Sequence, residues 1–272
     1  MESTIYPADR ESITPDEMLA RLDDRTLVLT VNKRLAAWLH RRHAERQKKD
    51  VWETPEILPW HGWILSSYAR LLTAGEHQDR LLSGNQESLV WEQIADRWNR
   101  QQDHTALLRP AAAAAAAAEA WKLVHEWTID PLELADYPSP ESELLASWFR
   151  DFDAHCKTNA WLSSAELSGV IGEKIEAGAI PLPQHLFLAG FDELTPGQEQ
   201  LLARIADAGC RIAQVRNPRP EATARTSRCR DNVDEIRHAA QWARELLQAN
   251  PQQRIGIVIP QLHRLRKDVE RQ

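Results

Sequence analysis

His185-Leu186-Phe187-Leu188-Ala189-Gly190-Phe191-Asp192-Glu193-Leu194-Thr195-Pro196-Gly197-Gln198 is the stretch whose reading decides the fold. The apolar run 186–189 has the length of a strand buried on both faces, as in a parallel sheet. Thr195-Pro196 then reads as a helix N-cap followed by proline at the first helical position, where its missing N–H costs nothing. Working outward, the same rhythm recurs. Strands are predicted over 26–31, 211–215, 223–229 and 255–259, with helices over 198–208 and 233–248 and a further helix beginning at Asn32. Strands separated by helical crossovers predict an α/β fold, a mostly parallel sheet with helices on both faces.

The middle of the chain departs from this rhythm. A loop containing Pro55 and Pro59 leads into a helix over 60–72, and from about 85 to 159 strand signals vanish. Trp91 and Trp98 lie seven apart. An alanine tract, 111–118, follows Pro110 and continues through Trp121, Val124, His125 and Trp127. Alanine is the strongest helix former, and the Trp-bearing continuation makes a packed helix a better reading than a linker. Pro131, Pro138 and Pro140 interrupt the helices, and 141–157 forms the next, with Leu144, Leu145, Trp148, Phe149 and Phe152 inward. An all-helical subdomain is thus inserted into the α/β frame.

Composition narrows the function classes. The 272 residues are 43% hydrophobic, enough for a substantial core, and the net charge is −7. No apolar segment approaches the roughly 20 residues that span a bilayer, and Glu2, Asp9, Arg10 and Glu11 replace a signal-peptide core, so a cytoplasmic protein without a membrane partner is expected. Cys156, Cys210 and Cys229 stand far apart with no C-x-x-C pair and no histidine at finger spacing, which predicts buried free thiols and no metal or cofactor. Asp151, Asp153 and His155 alternate between helix faces, and His40 and His43 lack an acidic third ligand. Ser163, Ser164 and Ser168 lack a nucleophile elbow. No catalytic residue is expected.

Positive charge is local. One cluster comprises Lys33, Arg34, Arg41, Arg42, Arg46, Lys48 and Lys49, with Leu35, Trp38 and Leu39 forming the packing face of the same helix. A second comprises Arg211, Arg216, Arg219, Arg225, Arg228 and Arg230. Either could neutralise phosphates or be a solvated face.

Asp192-Glu193, at the end of an apolar strand, has the form of the Mg²⁺-and-water end of a nucleotide-hydrolysing site. The phosphate end does not accompany it. A P-loop needs glycines for close backbone approach and a lysine for the β/γ oxygens, yet the first glycine is Gly62, well past the strand 26–31 where the loop would sit. Gly169-Val170-Ile171-Gly172-Glu173-Lys174 has the wrong spacing and lacks the metal-holding Ser/Thr. Without a bound γ-phosphate the two carboxylates have nothing to act on, and helix capping is their structural alternative.

Four segments, in order, resemble superfamily I helicases. Leu29-Thr30-Val31-Asn32-Lys33-Arg34-Leu35-Ala36 resembles their strand-Thr-Asn-Lys turn beside the single strand, and Leu58-Pro59-Trp60-His61-Gly62-Trp63 their Thr-His-Ser-Phe region. Leu188 to Gln198 is similar to Walker B with a distal glutamine. Asp231-Asn232-Val233-Asp234-Glu235-Ile236 with 255–259 and 262–269 resembles the opening of the second motor domain. In this order the four segments resemble the AddB-like group of inactivated superfamily I helicases, DNA repair proteins whose helicase-like half has lost much of its nucleotide apparatus.

That resemblance implies a RecA-like (P-loop NTPase-like) fold. Residues 1–80 would begin domain 1A, 81–165 would be a 1B-like helical insertion, 166–220 would complete 1A, and 221–272 would open a truncated 2A-like domain. Family proteins are longer, so a fragment is expected, with any nuclease domain downstream. The implied function is an ATPase-inactive module of a repair or recombination helicase-nuclease that binds or scans single-stranded DNA through Asn32, Lys33, Arg34, Trp60, His61 and Trp63. Asp192, Glu193 and Gln198 would be a degenerate Walker B site. Lysine and arginine would meet phosphates while a tryptophan stacks on a base. Two alternatives stay open: both tryptophans staple the loop to the core, or the chain is a scaffold docking an active helicase or nuclease subunit.

Overall fold

The computed structural model describes residues 10–48, 51–101, 107–131, 133, 139–216 and 224–271. The chain divides into two compact units, residues 1–218 and 219–272. Lys49, Pro138, Arg219 and the expected boundary at 220 lie outside the described residues, as do Glu2 and Asp9.

The first unit is α/β. Its sheet has five parallel strands, β1 (Glu11–Ile13), β2 (Thr26–Thr30), β3 (Glu56–Pro59), β6 (His185–Ala189) and β7 (Arg211–Val215), in the order β1-β7-β6-β2-β3. Register is continuous across the centre: Leu27 faces Leu186, Val28 faces Phe187 and Leu29 faces Leu188. Alternate residues serve opposite layers. Leu27, Leu29, Leu186 and Leu188 pack under α3 (Trp60–Ala74), α7 (Leu167–Glu176) and α8 (Pro196–Asp207). Val28, Phe187, Ala189 and Ala213 pack under α1 (Pro15–Ala20) and α2 (Lys33–Arg46). Helices cover both faces, as the apolar runs of the central strands require.

Between α3 and α7 the chain makes a helical excursion through α4 (Gly84–Arg100), α5 (Pro110–Glu126) and α6 (Pro140–Asn159). Its roots are joined by two short parallel strands, β4 (Arg80–Leu81) and β5 (Trp161–Leu162). The insertion has its own core, in which Trp91 stacks on Phe152 at 4.1 Å between centroids and Trp121 meets Phe149 edge-on at 5.1 Å. Each such ring withdraws 150–250 Å² from water, of order several kcal/mol. The alanine tract lets α4 and α5 approach closely, with Ala114 and Ala117 buried in that core.

Several expectations need correction. The first strand is β1, three residues at the sheet edge, not 26–31. The segment with Pro55 and Pro59 includes the opposite edge strand, β3, whose one outer side tolerates a residue without an N–H. Residues 169–174, whose spacing already set them apart from a P-loop, lie in α7, where a Cβ at Gly172 would stand 2.6 Å from the Arg204 guanidinium. In the second unit, described alone, α9 (Asn232–Ala249) and α10 (Leu262–Glu270) form as expected. Residues 224–229 and 255–259, however, are not strands. No strand pairs with either among the described residues, and a strand exists only through its ladder.

Candidate functional site

In an open parallel sheet, ligands bind beyond the carboxyl ends of the strands where the winding reverses. From β2 the chain moves to β3, and from β6 it moves the other way to β7, so the reversal lies between β2 and β6. Thr30 is in register with Pro59 on one side and Ala189 on the other. The residues that follow these three strand ends are therefore neighbours: Asn32-Lys33-Arg34 after β2, Trp60-His61 after β3 and Asp192-Glu193 after β6. The segment after β6, 130 or more residues beyond the other two, meets them on one edge.

Packing fixes their backbone. Thr30, fully buried, donates its hydroxyl to the Asn32 carbonyl at 2.9 Å. Asn32 caps α2, its side-chain oxygen accepting the Leu35 amide at 2.9 Å. Val31 extends the ladder to the Ala189 carbonyl at 3.2 Å, and Gly190 follows at φ +80°. A Cβ at Gly190 would stand 2.6 Å from Leu35 and 3.1 Å from Val31, so only glycine fits and the crevice between β2 and β6 is filled. Gln214 donates to the Phe191 carbonyl at 2.8 Å and holds the turn that leads to Asp192 and Glu193, both exposed.

The helix after that turn is capped by Thr195, with Gln198 accepting the Thr195 amide at 3.0 Å and donating its own amide to the threonine hydroxyl at 3.3 Å. The Thr-Pro reading holds, while Asp192 and Glu193 do not cap. After β1 a similar box forms: Glu17 accepts the Thr14 amide at 2.7 Å, with Pro15 at the start of α1. The backbone amide that could face an anion beyond β1 is occupied by this chain's own carboxylate, and the Thr14 amide and hydroxyl hold Glu17 below the usual carboxylate range.

The two candidate tryptophans differ. Trp63 is 2% exposed in the main core, whereas Trp60 is half-buried, 6.0 Å from Phe191 and 6.2 Å from Trp63. Trp63 thus has no free face, as the stapling alternative supposes. Trp60, exposed His61 and Gln198 line one cavity of about 430 Å³ with Lys122 and His125 from α5. The insertion closes on the sheet here: Gly197 packs against the carbonyls at the end of α5, which a Cβ would approach to 3.1 Å.

Charge separates along α2. Arg46 pairs with Asp16 at 2.5 Å and Arg42 with Glu45 at 3.7 Å, while Lys33, Arg34, Arg41 and Lys48 are exposed without an ion pair among the described residues. Burial, with His40 and the Arg46 guanidinium nearby, pushes His43 below the usual imidazole range. Sequence reasoning missed Trp38. Assigned to the packing face, it is 47% exposed, and the spacing 34, 38, 41 sets it between two unpaired arginines on the outer face of α2. Lys33 and Arg34 also occupy the first turn of α2 with no acid to complement the helix dipole, which favours an external anion.

The second basic set is not one patch. Arg211 begins β7 and Arg216 follows its other end, while Arg225, Arg228 and Arg230 belong to the second unit. No protein-family model matches this chain, and no curated protein matches it.

Proposed function

We propose that this chain is a degenerate, non-hydrolysing module of the superfamily I helicase type, with a RecA-like core, that binds single-stranded DNA in a DNA repair or recombination assembly. The observation that carries the reading is the convergence of Asn32-Lys33-Arg34, Trp60-His61 and Asp192-Glu193 beyond three adjacent strand ends. Two unpaired cations in the first turn of α2, with Trp60 and Trp38 offering ring faces, supply phosphate attraction and base stacking without sequence readout. Binding without hydrolysis is supported by the sequence, in which no glycine precedes Gly62, so the turns after β1 and β2 lack the glycines of a P-loop.

The test is oligo(dT) binding followed by fluorescence anisotropy across a salt series. Lys33→Glu with Arg34→Glu should weaken binding by roughly tenfold or more and flatten the log–log salt slope by about 1.4, two phosphates at 0.7 each. Unchanged affinity and slope would remove this edge from consideration. A second reading, a scaffold for an active helicase subunit, draws on the second unit. There Ile257, Val258 and Trp242 are exposed, Val258 at 91%, the kind of apolar surface that marks protein contacts. It stands if that charge reversal leaves DNA binding untouched.

A further inference from the structure

We propose that Cys229, Asp234 and His238 form a transition-metal site at the start of α9, with a donor set suited to Zn²⁺. The Cys229 sulfur, a carboxylate oxygen of Asp234 and a ring nitrogen of His238 all lie within 4.8 Å of one another. In a tetrahedral zinc site with these donors the ligand atoms stand about 3.5 Å apart, so small side-chain rotations close the remaining gap. The three residues belong to one unit and span ten positions, and no other part of the molecule is needed to assemble them.

Local structure positions each donor. Asp231 caps α9, accepting the Asp234 amide at 2.8 Å, which fixes the first turn. Asp234 and His238 are four apart and share a face, with Cys229 two residues before the cap. Asp234 is 8% exposed, and its Oδ2 accepts the Arg230 main-chain amide at 3.2 Å and the Arg230 Nε at 3.3 Å. Those contacts orient the carboxylate as outer partners orient metal ligands elsewhere. Its Oδ1 lies 3.7 Å from His238 Nδ1, which bonds to the Asp234 main-chain carbonyl at 2.9 Å and would exchange that contact for the metal. Arg237 Nη1, 3.8 Å from Oδ1, is beyond hydrogen-bond distance, and its half-exposed side chain can turn to solvent. Ion pairing alone accounts for Asp234 and gives the half-buried Cys229 no role.

A thiolate, an imidazole and a carboxylate together favour Zn²⁺ over Mg²⁺ or Ca²⁺, which take oxygen ligands. Binding replaces the thiol proton by metal, releasing one H⁺ to solvent as the S–M bond forms. Three protein ligands leave a fourth position for water or a group from a partner.

Cobalt is the optical probe. Titrating the metal-free 272-residue chain with Co²⁺ should give one equivalent bound, with a thiolate-to-metal charge-transfer band in the near ultraviolet that Zn²⁺ abolishes by displacement. Cys229→Ser should remove the band. Asp234→Asn and His238→Ala should each weaken binding by at least about tenfold, and Cys156→Ser, a buried thiol in the first unit, should change nothing. Far-ultraviolet circular dichroism of each variant separates ligand loss from unfolding. Absence of the charge-transfer band in the parent chain, or its survival in Cys229→Ser, overturns the site.

Discussion

Trp63 and Trp38 illustrate how far apart two tryptophans can stand in one unit. Trp63 fills the core between β2, α3 and the turn after β6, so Trp63→Ala should cost about 3–5 kcal/mol by leaving a cavity where an indole was. Trp38 is 47% exposed, and Trp38→Ala should stay within about 0.5 kcal/mol of the parent in urea denaturation. Its expected effect is on DNA, a loss of roughly tenfold in oligo(dT) affinity, one stacked base. A Trp38→Ala chain that binds as tightly as the parent would take the outer face of α2 out of the interface. Helical spacing could not separate the two roles. Leu35 and Leu39 share one stripe, and Trp38 lies at its rim, 100° from Leu39, where burial depends on what covers the rim. Gly190 was equally silent, because the lack of room for a Cβ arises only when Leu35 folds across it.

Elements at the centre of the sheet were legible and those at its margins were not, for one physical reason. β2 and β6 have neighbours on both sides and helices above and below, so the runs 27–29 and 186–189 are unbroken apolar. β1 and β3 are edges, one only three residues long and the other ending in Pro59, and neither has room for a period. The run 255–259 has the composition of a central strand and no ladder to join among the described residues. The hinge between sheet and insertion was also hidden, since it is made of polar groups distant in sequence. Ser163 donates its hydroxyl to buried Glu87 at 3.2 Å and its amide to Glu166 at 3.1 Å. Burial raises the Glu166 carboxyl above its ordinary 4.5, against the pull of the Ser163 amide and His125. The folded chain therefore holds a proton that the unfolded chain has released, from pH 4.5 up to the raised value. Stability falls as pH climbs through that window, and the penalty persists above it. Glu166→Gln should accordingly raise the thermal midpoint at pH 7 and confer no advantage below about pH 4. An equal difference at both pH values would show that Glu166 acts by shape and not by charge.

For the whole molecule, stability must be unevenly distributed between the two units. The first has two interleaved cores around the sheet and a third inside the insertion, with Leu29, Phe152, Leu188 and Ile205 wholly enclosed. In the second, Ile236 and Asp234 are the buried residues among those described, while Trp242, Leu247, Val258 and Leu262 keep large apolar areas in water. Hydrophobic stabilisation scales with area removed from water, so α9 and α10 have far less to offset their ordering entropy than β2 and β6 do. Amide hydrogen exchange resolves this without unfolding the chain. The α9 and α10 amides should exchange at least about a hundredfold faster than those of β2 and β6, through local opening that leaves the sheet intact. Saturating Zn²⁺ should then slow exchange in the first two turns of α9, because a ligand that binds only the folded helix stabilises it by mass action, and leave the sheet amides unchanged. Protection of α9 equal to that of β6 in metal-free protein would refute the uneven distribution, and zinc-induced protection spread evenly over both units would place the ion somewhere other than Cys229, Asp234 and His238.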